Sequence, residues 1–484
     1  MDGEPVPVPK PFIHLGWESA RVPSLNLTAV KSGGMGGRND AMCPVHTDQT
    51  TPGAWETFVN KEKAMNGQAV SLRKFHFNVN SCGSMLAMAL VVVFALTRLT
   101  THAMQAQTFS VLHNFTGGTE GEYPYAGVTV ASSGTLYGTT SGGNGTVYKL
   151  TPHASSFIFS PLYEFTGGSD GTYPYGGVVI GPNGALYGTT LEGGAENAGI
   201  VFELRPPATF CRSITCYWNE SLVYTFTGNL DGRYPYYENL TFDQAGNIYG
   251  TTYEGGMYES GVAFELTPSG GGCTESILHS FGLGTDGANP ISDVVLDTAG
   301  NVYGNTQYGG TERYGTVYQL MPSNGGWMEN VLVNFDVTNG ENPVGNLIID
   351  SSGNLYGTTP SGGQNGGGVV YKLAPSDGGF TYSVLYPFSS CGSRGGLAVD
   401  AAGDLFGVCY YGGAHQDGWI FEPTNCSQGC VANDLHDFSG SDGANPYGGP
   451  MLGAHGNLYG TTVVGGTANA GVVWEIAGVG SLRR

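Results

Sequence analysis

A five-residue phrase, Leu-Tyr-Gly-Thr-Thr, keeps returning along this chain, and its return limits the fold more than any other feature. It stands at Leu136–Thr140, Leu186–Thr190, Leu355–Thr359 and Leu458–Thr462, with variants at Ile248–Thr252 (IYGTT), Val302–Thr306 (VYGNT) and Leu405–Cys409 (LFGVC). From one aromatic to the next the spacings are 50, 62, 54, 53, 50 and 53 residues. A regular period of this size marks a propeller, solenoid or array, in which each unit buries its apolar face only against its neighbours.

The order inside a unit is constant. Gly127–Gly134 (GVTVASSG) leads to Leu136–Thr140, then to Gly145–Leu150 (GTVYKL) and Ser160–Phe165 (SPLYEF). Each piece is short, rich in β-branched and aromatic residues, and bounded by Gly, Asn, Pro or Asp, which is the pattern of a strand between turns. Gly supplies 81 of 484 residues, more than twice the ordinary share of roughly 7%, and argues against long helices. With 12% aromatic and only 12% charged residues, the chain has ample apolar surface to bury and is no disordered acidic tail. Four short strands per unit form the antiparallel meander of a propeller blade, and the coils of a parallel solenoid are a poorer match. Seven copies predict an all-β, seven-bladed β-propeller over residues 107–480.

The phase predicts how the ring shuts. The repeat region opens with an outer-strand segment, Thr108–Phe115 (TFSVLHNF), and ends on a third strand, Gly471–Ile476 (GVVWEI), with no fourth. The first strand should therefore complete the last blade and remove the open sheet edge. The LYGTT phrase, the Gly-Gly after it, GTVYKL, VLYxF and the DGxxPY loops together resemble the GloVer tandem-repeat family of bacterial surface proteins over residues 108–476. The resemblance implies a secreted or surface-attached propeller-like protein and attaches no activity to it. Members commonly end in an anchoring segment, whereas this sequence ends at Ser481–Arg484, which favours free secretion.

Charge is uneven. Residues 107–484 carry 9 basic against 32 acidic residues, within a formal net charge of -21 for the whole chain. An acidic body repels phosphate backbones and anionic membrane surfaces, so nucleic acid is excluded as a partner. The apolar run Met85–Leu96 is too short to span a bilayer, for which about 20 residues are needed. It follows Arg73 and Lys74 and precedes small residues at Ala103 and Ala106, the order of a secretory signal cleaved before Gln107. Residues 65–106 are read as that signal segment and residues 1–64 as a non-native or disordered extension ahead of a true start at Met65. A signal-anchor that leaves residues 1–80 inside is the competing reading. The expectation is a monomer, extracellular or periplasmic, with no stable membrane span after cleavage.

Nine cysteines fit an oxidising compartment. The pairs Cys211/Cys216 and Cys426/Cys430 read as local disulfides, and Cys391/Cys409 as a third that replaces a lost turn in unit six. Cys43 and Cys82 sit in the leader region, Cys273 is left over among the other seven, and zinc-ribbon spacing is absent.

Seven internal copies serve as a control for function: what recurs is scaffold, and a site should show as a departure. The DGxxPY loops (Asp170–Tyr175, Asp231–Tyr236, Asp442–Tyr447 and their variants) read as turns rather than a calcium ring, since each supplies one carboxylate. The stretch Gly167–Gly171 matches a GxSxG pattern but lies in an inter-strand loop, not a nucleophile elbow. His113, His279 and His436 share one repeat position that elsewhere holds Tyr or Val, so they read as packing positions. The departures are Tyr237, Glu238 and Asn239, Asp293, and Asn346, where four other units have small residues. Carboxylates with amides at the channel mouth suit a polyol or a cation, or an acid/base pair. No catalytic residue, metal or cofactor is assigned. The function this supports is a binding or scaffold propeller that recognises a glycan or a surface protein on its tyrosine-rich face; the alternative is a propeller enzyme, a polysaccharide or lactone lyase acting at the axial channel.

Overall fold

The computed structural model describes residues 107–208, 216–237, 239–270, 272–282, 284–424, 426 and 430–479. The extension, the signal segment, Cys211 and Glu238 lie outside these residues. Among the described residues the chain forms seven antiparallel sheets arranged as a seven-bladed β-propeller, and the helical content is one 3-10 turn at Gly118–Glu120. No helix among them is long and apolar enough to cross a membrane.

Blade 1 shows the pattern. A two-residue inner strand, Thr129–Val130, pairs with Leu136–Thr140, which pairs with Thr146–His153, which pairs with the outer strand Ser156–Glu164. Inner strands recur at Val179–Ile180, Thr241–Phe242, Val295–Leu296, Ile348–Ile349, Ala398–Val399 and Met451–Leu452. Blade 4 gains a fifth strand, Gly287–Pro290, from its DGxxPY-type loop. The same loops make single bridges elsewhere, such as Thr172 with Glu192 and Ala444 with Val464. The DGxxPY loops and the loops after LYGTT thus lie on one face.

The glycine of LYGTT has a steric cause. Gly138 sits opposite Tyr148, Gly188 opposite Phe202, Gly357 opposite Tyr371 and Gly460 opposite Trp474. A Cβ on Gly138, Gly188, Gly304, Gly357, Gly407 or Gly460 would lie 2.3–2.7 Å from the facing side chain, well inside van der Waals contact. The third-strand ring lies flat over the second-strand backbone, as aromatic side chains do over glycines in sheets. Its other side receives the phenylalanine that ends the preceding blade. Phe115 meets Tyr148, Phe165 meets Phe202, Phe226 meets Phe264, Phe281 meets Tyr318, Phe335 meets Tyr371, Phe388 meets Phe421 and Phe438 meets Trp474, with centroids 4.9–6.1 Å apart. Each such pair adds about 0.5–1.5 kcal/mol beyond the area it buries.

Nearer the axis, hydrogen bonds join the blades. The first threonine of the phrase donates to the loop carbonyl of the next blade, from Thr139 to Gly176 (2.8 Å), Thr358 to Gly395 (3.0 Å) and Thr461 to Ala126 (2.7 Å). Thr108–Asn114 completes blade 7 by pairing with Val472–Ala477. The closure expected from the phase is therefore present.

Gly357→Ala should lower the free energy of unfolding by about 1–3 kcal/mol, the usual cost of overpacking, because the new methyl meets Tyr371 and Leu347. Urea denaturation checks this. Adding Tyr371→Leu should cost less in the Gly357→Ala background than in wild type, since the smaller side chain makes room for the methyl.

Candidate functional site: a stoppered axial channel

Two residues before each inner strand, the seven blades form a ring around the axis: Gly127, Gly177, Asn239, Asp293, Asn346, Gly396 and Gly449. Four glycines let neighbouring backbones close in. A Cβ on Gly127 would lie 2.3 Å from the Gly449 carbonyl, and one on Gly177 the same distance from Asn239 Oδ1. The three consecutive blades without glycine contribute Asn239, Asp293 and Asn346, three of the residues singled out in the sequence, and the structure brings these three together.

Asp293 is the centre of the group. Its carboxylate accepts from the Asn239 backbone N–H, from Asn239 Nδ2 (2.8 Å) and from Asn346 Nδ2 (2.7 Å), while its own N–H donates to Asn346 Oδ1 (3.3 Å). It is half-buried, facing the narrow axial cavity, and burial pushes its carboxyl up to about 7 although the hydrogen bonds pull the other way. The cluster lines an axial cavity of about 240 Å³, slightly smaller than the roughly 300–1,000 Å³ of ordinary ligand pockets.

A second ring lies on the loop side of the first. In blades 1, 2, 4, 5, 6 and 7 its members, two residues earlier, are Tyr125, Tyr175, Ile291, Val344, Arg394 and Tyr447. Blade 3 has one residue more than its counterparts between the loop proline and the inner strand (Pro235 to Leu240, against Pro174 to Val178). That extra length places Tyr236 in the ring and carries Tyr237 across the axis. Tyr237 has a left-handed backbone, φ 55°, and its ring centroid lies 4.0 Å from Tyr236, 4.6 Å from Tyr447, 5.2 Å from Tyr175 and 5.6 Å from Tyr125. The Tyr236 hydroxyl donates to that of Tyr237 (3.1 Å). Burial raises the Tyr237 phenol well above its ordinary value and keeps it neutral. Tyr237 and the tyrosines it packs against line the loop side of the cavity that Asp293 also lines.

Arg394 replaces a ring residue in blade 6. Its guanidinium lies over Tyr410 (5.5 Å) and Tyr447 (5.6 Å), which holds a cation by the ring quadrupoles. Among the described residues no carboxylate lies within salt-bridge distance of Arg394, and its buried Nε has no partner. In the sequence, unit six stands out by its cysteines, and Arg394 falls in the same broken repeat. Its signal was that it stands where blades 1, 2 and 7 have tyrosine.

The Cys391–Cys409 disulfide is formed in blade 6, and so is Cys426–Cys430. Cys216 is disulfide-bonded, while Cys273 is free. Asp170 closes its own turn by accepting from the backbone N–H and hydroxyl of Thr166 (2.8 and 2.6 Å), and Asp231 does the same with Thr227. The GxSxG stretch is that turn. His436 contacts the turn carboxylate of Asp442 (3.0 Å), and His113 stacks on Phe159 (4.3 Å). Both are packing positions.

The Gloeobacter/Verrucomicrobia repeat matches the chain at residues 92–218 and again at 213–421. The protein belongs to this family. No curated protein matches the sequence. Among solved structures, a candidate gluconolactonase is similar at 13% identity and TM-score 0.39, over 77% of this chain and 92% of the other. A candidate 6-phosphogluconolactonase from Bacteroides uniformis is similar at 14% and 0.43, over 64% and 83%. The extracellular domain of a candidate one-component system from B. thetaiotaomicron is similar at 14% and 0.46, over 76% and 40%. Similarity at this level carries nothing about activity.

Asp293 gives this repeat protein a pH signature. Below its ordinary value of 3.8 the carboxyl is protonated in both folded and unfolded chains. Between 3.8 and about 7 only the unfolded chain ionises, so stability falls as pH rises, and above about 7 the loss is complete. Asp293→Gly, which installs the residue of four other blades, should flatten this part of the stability profile relative to wild type. Denaturation midpoints measured from pH 4 to pH 8 on both proteins check it.

Proposed function

We propose that this family member is an exported binding module that holds a neutral glycan on the loop face, at the mouth of blade 6. The observation that carries the reading is Arg394, a guanidinium with no carboxylate within salt-bridge distance among the described residues, set beside a group of tyrosines. Tyr411 is 48% exposed and stacks edge-on against Tyr410, with centroids 4.5 Å apart. A tyrosine face accepts the apolar side of a sugar ring and needs little ordering. A guanidinium donates N–H groups to hydroxyl oxygens. The acidic body, at 9 basic to 32 acidic residues, selects against polyanionic chains, so the glycan is neutral. Disulfides and membership of a family resembling bacterial surface proteins support a position outside the cytoplasm.

A second reading, a lyase working through Asp293, draws on its carboxyl near 7, a range suited to acid/base work. Against it, three N–H donors already occupy the carboxylate.

The test is calorimetric titration of the purified protein with neutral and uronate-bearing oligosaccharides, with product formation followed in parallel. The expected result is binding of a neutral oligosaccharide without turnover, weakened at least tenfold by Arg394→Gln and by Tyr411→Ala. Turnover abolished by Asp293→Asn would instead establish the enzyme. Failure of every glycan to bind, or binding indifferent to both substitutions, would remove this reading and leave a protein partner.

A further inference from the structure

The seams between neighbouring blades repeat a three-part contact at the rim of the loop face. One part is the outer-strand residue two before the terminal phenylalanine, the second is the turn carboxylate that follows, and the third lies on the next blade's outer strand. At two seams the set is Tyr with two carboxylates: Tyr163, Asp170 and Glu220, then Tyr224, Asp231 and Glu275. The Tyr224 hydroxyl bridges Asp231 (3.2 Å) and Glu275 (3.1 Å). At two others it is His with one carboxylate and a phenylalanine stacked on the imidazole: His113, Glu120 and Phe159 (4.3 Å), and His436, Asp442 and Phe109 (3.5 Å).

The seam between blades 3 and 4 combines the two. It has His279 from the outer strand Gly272–Ser280, Asp286 from the following turn and Glu329 from the outer strand Gly326–Asn334. His279 Nε2 lies 3.3 Å from both Asp286 oxygens and 3.9 Å from Glu329 Oε2, and one donor atom from each residue falls within 4.8 Å of the others. A histidine–carboxylate distance of 3.3 Å is long for a hydrogen bond, which centres near 2.9 Å. It matches the edge of a tetrahedron whose bonds to the metal are about 2.0–2.1 Å. Asp286 also accepts from the backbone N–H groups of Gly282 (2.8 Å) and Gly287 (2.7 Å), which fix its orientation. The buried Glu329 Oε1 has no protein partner. Among the described residues this is the one place where three ligating side chains converge.

We propose that His279, Asp286 and Glu329 bind a divalent transition metal of the zinc class, with water completing the coordination, and so tie blade 3 to blade 4. An imidazole nitrogen with two carboxylates suits zinc, whereas calcium takes oxygen ligands. The histidines at the other seams do not offer this set, because a phenylalanine stands where Glu329 does. This site is separate from the axial channel and does not depend on the glycan reading.

The experiment uses purified protein without a histidine tag, stripped with a chelator and titrated with Zn²⁺ against a chromogenic competitor. Wild type should take up one equivalent, and its melting temperature should rise by roughly 3 °C at a hundredfold excess over Kd. His279→Tyr recreates the seam between blades 2 and 3, and Glu329→Phe the seam between blades 6 and 7. Each is a combination this protein already tolerates, so both variants should fold. Both should lose the equivalent of zinc and the zinc-dependent shift. Absence of stoichiometric uptake by wild type, or uptake unchanged in the two variants, would overturn the proposal.

Discussion

The structure depends on a stack of three groups: a glycine in the second strand, the aromatic ring laid over it from the third, and the terminal phenylalanine of the preceding blade pressed against that ring. The first contact sets how closely the two strands and their side chains pack within a blade. The second sets how one blade leans on the next. Because Tyr148, Phe202, Phe264, Tyr318, Tyr371, Phe421 and Trp474 all belong to both contacts, neither can change alone. Ring size varies from Phe to Trp while the glycine beneath stays. The space is made below the ring, and the neighbouring blade adapts above it.

That stack frees the residues nearest the axis from any part in holding the blades apart. The inner strands are only two residues long, and four of the seven axial positions are glycine. Where the requirement is relaxed, polar side chains can appear without harm to the blade, as Asn239, Asp293 and Asn346 do. Their mutual hydrogen bonds answer the cost of burying them. A carboxylate in this position would otherwise stand unpaired in a narrow channel, and two amides from adjacent blades satisfy it. Tyr237 has the same origin: one added residue in blade 3 changes no strand, because the insertion falls in a loop.

The blade count, the ring closure and the clustering of Asn239, Asp293 and Asn346 were legible because they follow from the period and its phase. Departure from glycine at an aligned position marks a place in the ring without any knowledge of distance. The partners were not legible. That Asp293 accepts from both flanking blades depends on the lean of one blade against another, set by packing far from the axis. The extra residue before Leu240 was visible as a spacing, but its consequence was not: a tyrosine carried over the axis reads in sequence like one more aromatic at the rim. Arg394 stands in the sequence where other blades have tyrosine, and only the rings of Tyr410 and Tyr447 beside it show that it is a cation held by π-faces.

The seams carry the same lesson outward. Glu329 lies some fifty residues from His279, and no local pattern links them; the repeat register does. Counting back six residues from each terminal phenylalanine gives Phe159, Glu220, Glu275, Glu329, Tyr382, Ala432 and Phe109, and counting back two gives the partners they meet across the seams. At two seams tyrosine faces glutamate and at two histidine faces phenylalanine; Val333 faces Tyr382, Tyr386 faces Ala432, and the seam of blades 3 and 4 alone sets histidine against glutamate. A tandem repeat is therefore its own set of substitutions at fixed geometry. The residues common to all copies report what the fold requires. A pairing of ligating side chains found at one seam and at no other reports a chemistry that the fold does not need.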